Sequence, residues 1–395
     1  MPQSPGHPNH GFLRRAHRFF MFMGIAYGSL LVLLTVPAVQ RQVVFMHKLK
    51  IPWFGDYEHP EKSGLAPFKA RNVRIQTPDN ETIGAWFTVA DRFYKSRAVA
   101  GPLTDDAITA ALQQHPTVLF FHGNAATRVL TRRIAYYQAY SNRLGANVLA
   151  IDYRGFGDST GTPSEEGLEI DARAAWDWLE ARGARQEDIL VVGNSLGTGV
   201  SVQLVSGLKS DGKKPRGMVL LAPFTSTGTL METYNIFGVF PLFSPLKTFP
   251  FIIKLMRRFV LHRFDNLSKI AALECPILVV HAEDDWDIPF VHSETLFGAF
   301  VEPHLPALSL LPGPTWAESD ELSRLQATLE QRTEARGKLV VQRDIEGLGT
   351  TETFKRNATD DTVVFLKTKW GGHDVVGLLE GVQDVMGEMF SLSIF

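Results

Sequence analysis

The amino-acid sequence predicts an α/β protein: a doubly wound, mostly parallel sheet, preceded by one helix able to cross a membrane. Two observations predict the sheet. From Thr117 onward, short apolar runs rich in β-branched residues recur, each bounded by turn residues. Helix-like patterns separate them, an alternation that builds parallel strands with helices on both faces. A third observation predicts the anchor: residues 19–39, FFMFMGIAYGSLLVLLTVPAV, contain no charged side chain.

With 45% apolar and 21% charged residues in 395, the composition is globular, which excludes a disordered, collagen-like or coiled-coil chain. The formal net charge of -2 gives no sign of a nucleic-acid partner, which usually requires a strong basic excess. The charge is uneven, however. Six of the 40 Lys and Arg, and none of the 42 Asp and Glu, lie in residues 1–50. One cysteine, Cys275, excludes an intramolecular disulfide framework and any multi-cysteine metal site. It opens a strand and reads as an inert core residue.

Residues 1–18 form a basic tail carrying Arg14, Arg15 and Arg18, and residues 19–39 form the transmembrane anchor. A helix rising about 1.5 Å per residue covers roughly 31 Å here, the hydrocarbon thickness of a bilayer. A cleaved signal peptide is the competing reading, with Val36 and Ala38 as a processing site. The run exceeds the ~7–15 residues of a signal's apolar region, so an uncleaved single-pass anchor is expected. Basic residues balance three and three around the span and leave its orientation undecided. Sequons at Asn80, Asn266 and Asn357 favour a glycosylated, lumenal body. Residues 40–68 then read as a juxtamembrane linker, and 69–395 as one domain with insertions.

Within that domain, Asn72–Thr77 and Glu81–Val89 are strand-like and flank Pro78-Asp79-Asn80, a hairpin pattern. Residues 91–115 read as a surface loop with at most one short helix. Buried strands follow at 118–121, 148–151, 189–192, 218–221, 277–280 and 363–366, with helices near 127–143, 165–183 and 196–208. Two insertions interrupt the alternation. Residues 223–270 are rich in Phe, Pro and Met; residues 303–360 are polar, with a charged helix around Glu318–Arg336.

Gly193-Asn194-Ser195-Leu196-Gly197 places G-x-S-x-G between a strand and a helical pattern. A sharp turn there exposes the serine oxygen, and Gly193 and Gly197 admit the close backbone approach it needs. The helix N-terminus directs unsatisfied N–H groups toward developing negative charge. A serine hydroxyl is a weak nucleophile and needs a base, which a third group must orient. The acidic cluster after His281, Glu283 to Asp287, offers that third group, and His373 in Gly371-Gly372-His373 offers the base. Both follow strands, where parallel sheets build their sites. His292 and His304 do not, and His122 reads as a structural loop residue. The amides of Asn124, after His122-Gly123, and of Leu196 form a two-donor oxyanion hole.

The ordered set HGN (122–124), DYRGFGDSTGTPSEEG (152–167), GNSLGTG (193–199), HAEDDWDIPF (281–290) and the late GGH carries a resemblance. It resembles the α/β-hydrolase-domain (ABHD) serine hydrolases, in particular their membrane-anchored lysophosphatidylserine and monoacylglycerol lipases of the endoplasmic reticulum. The likeness covers residues 50–390 and the anchor. It implies the α/β-hydrolase fold, with Ser195 as nucleophile, Asp285 as acid and His373 as base. Asp285, four residues after His281 and four before Pro289, matches the family's acid better than Asp284 or Asp287. Asn194 stands where many relatives carry His, and the stretch between acid and base is longer than usual.

The expected function is hydrolysis of lipid acyl esters at a membrane, of lysophospholipid or monoacylglycerol type. No cofactor, metal or obligate protein partner is expected; lipid ester and bilayer are the partners. A protein depalmitoylase, thioesterase or serine peptidase would share the triad, and a catalytically silent binding protein would share the fold. Residues 223–270 read as a cap supplying an acyl-chain tunnel and a membrane-facing surface, with Phe240, Phe243 and Phe251 as substrate contacts. A satellite core under a long loop is the plainer alternative. Gly155-Phe156-Gly157 is no dinucleotide loop, because Gly161 falls one position late for G-x-G-x-x-G. The carboxylates from Glu283 to Asp287 lack a paired ligand histidine and read as loop charges around one triad member.

Overall fold

In the computed structural model, residues 10–97, 101–233, 243–308, 319–356 and 361–392 are described. Ten strands make one mixed sheet: β1 (Ala70–Gln76), β2 (Thr82–Thr88), β3 (Thr117–Phe121), β4 (Asn147–Ile151), β5 (Ile189–Asn194), β6 (Gly217–Leu221), β7 (Ile277–Ala282), β8 (Val340–Ile345), β9 (Gly349–Lys355) and β10 (Thr362–Thr368). Their order across the sheet is β1-β2-β4-β3-β5-β6-β7-β10-β9-β8. The six from β4 to β10 are parallel. The β1–β2 hairpin and the β8–β9 hairpin extend the two edges in antiparallel fashion.

The parallel strands are apolar without interruption because both faces are covered. Leu119 and Phe121 enter the core on one face, and Val118 and Phe120 the core on the other. The chain steps from β3 to β4 in one direction and to β5 in the other. That reversal opens a crevice at the carboxyl ends of β3 and β5. Helices Thr131–Asn142, Glu165–Glu180 and Leu196–Ser210 occupy the three expected positions. Ser164 caps the second, its hydroxyl accepting from the Gly167 N–H at 3.0 Å.

Four segments differ from the sequence expectation. Helix formation at the N-terminus runs from His10 to Leu33 rather than over 19–39, and Gly11–Leu33 is long and apolar enough to cross a membrane. The chain turns at Thr35 and Val36, and Pro37, having no N–H to donate, opens a second helix, Pro37–Phe45. Residues 40–68 are packed rather than linker-like, with Phe45 and Leu65 buried. The 91–115 stretch holds two helices, Asp91–Ser96 and Asp105–Gln114, the second capped by Thr104. Finally, the polar stretch 303–360 contributes not only the helix Ser319–Leu339 but also β8 and β9.

Candidate active site

Ser195 follows the last residue of β5 at φ 51° and ψ −118°, a conformation unfavourable to a residue with a Cβ. Its N–H donates to the Leu221 carbonyl of β6 at 2.9 Å, which pins the turn. Gly193 and Gly197 are required by space: a Cβ on Gly193 would overlap the Gly197 carbonyl, and one on Gly197 the Phe121 carbonyl. Asn194 is buried between them, its side-chain NH2 without an acceptor among the described residues.

The Ser195 Oγ lies 2.8 Å from Nε2 of His373, and His373 Nδ1 lies 2.8 Å from Oδ2 of Asp285. These groups come from the carboxyl ends of β5, β10 and β7. An ionised carboxylate only accepts, so Nδ1 carries the imidazole proton and Nε2 is left to accept from the serine hydroxyl. Oδ1 of Asp285 accepts from the N–H groups of Asp287 and Ile288 at 3.0 and 2.8 Å. Burial opposes the Asp285 charge, yet hydrogen bonds from His281 and His373 hold its pKa well below the carboxylate range. Burial also opposes a charged His373, but Asp285, with Asp374 and Asp287, raises its pKa above the ordinary 6.5.

The loop after β3 lies against the serine: a Cβ on Gly123 would stand 3.3 Å from that of Ser195. The guanidinium of Arg133 donates to the carbonyls of Gly123 and Asn124, both at 3.1 Å, and of Ala125 at 2.8 Å. In a trans peptide the C=O and the following N–H point in opposite directions. The Asn124 N–H is therefore turned away from Arg133. Leu196 is the first residue of its helix, so its N–H has no acceptor within that helix.

Other candidates lie elsewhere. His292 is buried between the hydroxyls of Thr225 and Thr233, at 3.0 and 2.7 Å, and burial lowers its pKa to about 4. The His304 ring lies tilted against that of Phe354, their centroids 5.4 Å apart. His122 is buried, with Nδ1 2.6 Å from the Gly123 carbonyl. Cys275 is buried in the core, which pushes its thiol up to about 12. Phe243 lines a small crevice inside the 223–270 segment with Leu246, Ile253 and Met256, whereas Phe251 is exposed and sits edge-on to Phe249. Phe240 and Asn357 lie outside the described residues.

Of the sequons, Asn80 is exposed at the tip of the β1–β2 hairpin. Asn266 requires a correction. It is only 1% exposed and its Nδ2 donates to the Phe224 carbonyl at 2.9 Å, so no glycan fits on it in this fold.

Asp285, Asp287 and His373 offer ligand atoms within 4.8 Å of one another, the one such grouping among the described residues. Both Asp285 oxygens are already occupied by hydrogen bonds, which leaves a cation little to bind.

Two contributors are not evident as site residues from the sequence. His281 donates through Nε2 toward Asp285 at 3.1 Å and the Ile288 carbonyl at 2.8 Å, while its Nδ1 meets the Ser293 hydroxyl at 2.7 Å. Its position four residues before the acid was the available signal. Arg133 carried none, since it grips carbonyls, which every residue possesses.

A strained serine between a parallel strand and a helix, at the carboxyl edge of this sheet, defines an α/β hydrolase. The chain belongs to the alpha/beta hydrolase family, whose model matches residues 118–349. Lysophosphatidylserine lipase ABHD12 of Gallus gallus is 32% identical over 290 residues, covering 73% of this chain and 74% of that one. The lipase of the same name from Danio rerio is 30% identical over 289 residues, covering 73% of each. Protein ABHD12B of Homo sapiens is 30% identical over 258 residues, covering 65% of this chain and 68% of its own. Among solved structures, an alpha-beta hydrolase from Vibrio vulnificus shares the fold with a TM-score of 0.50 at 17% identity, over 89% of this chain and 94% of that one.

Proposed function

We propose that this protein is a membrane-attached serine hydrolase that cleaves acyl esters of lipids, of the lysophospholipid or monoacylglycerol type. The observation that carries the reading is the hydrogen-bonded row of Ser195, His373 and Asp285. His373 Nε2 takes the hydroxyl proton as Ser195 Oγ attacks the acyl carbonyl carbon. The amides of Asn124 and Leu196 hold the resulting oxyanion, and His373 returns the proton to the departing alcohol. Water, deprotonated by the same nitrogen, then attacks the acyl carbon, and Ser195 Oγ departs with the proton returned from His373 as the fatty acid is released. Asp285 keeps the imidazole in the required tautomer throughout.

Lipid rather than peptide or protein thioester as substrate is supported by the relatives named as lysophosphatidylserine lipases. Residues 223–270, which follow the carboxyl end of β6, act in this reading as the cap. Within it Leu246, Met256 and Phe264 are buried, while Phe249, Phe251, Leu255 and Phe259 are exposed and available to a bilayer. A fluorophosphonate probe is expected to label the folded protein, with the adduct mapped to the peptide containing Ser195. Folded protein that stays unlabelled would exclude the enzyme and favour a silent binding protein.

The exposed sequon at Asn80 supports a lumenal body; the endoplasmic reticulum is the membrane of residence in this reading. Made in a glycosylating host, the protein is expected to shift on glycosidase treatment, with Asn80→Gln lacking one glycan. No shift in the wild type would count against the lumenal placement.

A further inference from the structure

The segment that follows the candidate membrane span lies along the loop that carries Asn124. Three successive amides of that loop donate to it: Ala125 to the Phe45 carbonyl at 2.9 Å, Ala126 to that of Leu49 at 2.8 Å, and Thr127 to that of Ile51 at 3.1 Å. Ala125 and Ala126 stand at φ 54° and 52°, left-handed backbone that disfavours any residue with a Cβ. Two such residues in succession persist only where the surroundings hold them. Two opposed grips do so. Arg133 takes the carbonyls of Gly123, Asn124 and Ala125 on one side, and the 45–51 segment takes the N–H groups of Ala125, Ala126 and Thr127 on the other.

The segment is itself latched. The Phe45 ring is fully buried, with its centroid 4.8 Å from that of His262 and 6.3 Å from that of Phe264. Five residues earlier, Gln40 donates to the Phe259 carbonyl at 2.7 Å and accepts from the Leu261 N–H at 3.0 Å. The helix Pro37–Phe45, the 259–264 stretch and the oxyanion loop thus meet at one place. The peptide plane between Asn124 and Ala125 has its carbonyl on Arg133 and its N–H on Phe45. Its tilt constrains the neighbouring plane, which carries the Asn124 N–H.

We propose that residues 40–51 are a positioning strap for the oxyanion loop, so that the stretch leaving the membrane helps to set the rate of acyl transfer as well as the enzyme's location. This rests on the serine-hydrolase reading above. Phe45 and Gln40 are positioning residues: they touch no reacting atom and act through the peptides from 124 to 127. An oxyanion donor that is displaced weakens the transition state and leaves ground-state binding nearly intact.

The test uses the full chain in detergent micelles and a water-soluble short-chain ester, so that membrane delivery of substrate plays no part. Phe45→Ala and Gln40→Ala are compared with wild type and with Val43→Ala, an exposed position on the same helix. For Phe45→Ala, kcat is expected to fall about 10- to 100-fold with KM within threefold. Gln40→Ala should show the same pattern more weakly, and Phe45→Leu should recover most of the rate. Thermal unfolding identifies the folded variants; if Phe45→Ala does not fold, Gln40→Ala decides. An unchanged kcat in folded variants overturns the strap, and so does a loss confined to KM. Fluorophosphonate labelling of the wild type is scored separately: its absence would defeat the hydrolase reading, whereas a labelled wild type with unaffected strap variants would defeat only the strap.

Discussion

Ser195→Gly is expected to abolish ester hydrolysis and, at the same time, to stabilise the fold. The first effect follows from the loss of the hydroxyl proposed to attack the acyl carbon; kcat should fall by about 10⁶-fold. The second follows from the backbone. At φ 51° and ψ −118°, Ser195 occupies a region whose strain is about 1–3 kcal/mol for a residue with a Cβ. Glycine removes that strain but brings about 0.5–1 kcal/mol of extra chain entropy to be lost on folding. The net gain should lie between about 0 and ~2.5 kcal/mol, which for a chain of 395 residues raises Tm by up to about 3 °C. Ser195→Ala is the control, since it removes the same hydroxyl but keeps the Cβ. It should be as inactive and gain nothing comparable. Equal melting temperatures for the two variants would mean that the strain of the turn is no larger than the chain-entropy cost of glycine.

The sheet is legible in the sequence wherever both faces of a strand are buried. Runs such as VLFF and VLAI need no partner in order to be recognised, because every side chain must be apolar. The hairpin β8–β9 escapes for the opposite reason: in β8 only Val340 is buried, and charged residues on an outer strand look like loop. The end of the N-terminal helix escapes because hydropathy does not see Pro37 as a boundary, although its backbone chemistry is one. Within the proposed site, Ser195, His373 and the acidic cluster from Glu283 to Asp287 are legible because their chemistry demands particular residue types at strand ends, whereas the choice of Asp285 within that cluster comes from the family resemblance. The grip of Arg133 and the 45–51 segment on the oxyanion loop is not, since it runs through carbonyls and amides that any sequence supplies. Asn266 shows the converse failure, where a local pattern was read without the burial that tertiary packing imposes.

Asp285→Asn is expected to lower kcat by about 10⁴-fold with little change in KM, for a reason specific to this carboxylate's surroundings. Four donors converge on it: the amides of Asp287 and Ile288 at Oδ1, and the ring nitrogens of His373 and His281 at Oδ2. An asparagine offers one acceptor and an NH2 group, so in either orientation the NH2 confronts a pair of donors. With its oxygen on the backbone pair, the amide donates to His373 Nδ1. His373 then carries its proton on Nε2, aimed at the hydroxyl it should deprotonate. The pH profile provides an independent check. On the proposed mechanism His373 must be neutral to act, and its pKa is raised above 6.5 chiefly by Asp285, so wild-type activity is expected to fall as the pH drops through that raised value. In Asp285→Asn the main source of the rise is gone, and the acidic limb of residual activity should move to lower pH. Stability follows with its own sign. The folded pKa of Asp285 is depressed, so its stabilisation is complete above the ordinary value of 3.8 and is lost only as the pH falls through the folded one. The stability gap between wild type and variant should therefore be widest near neutrality and narrow in strong acid. A variant that keeps kcat within tenfold and leaves the acidic limb in place would exclude Asp285 as the orienting acid. Asp287, whose own pKa is raised by burial and by the charge of Asp285, would then be the carboxylate to replace next.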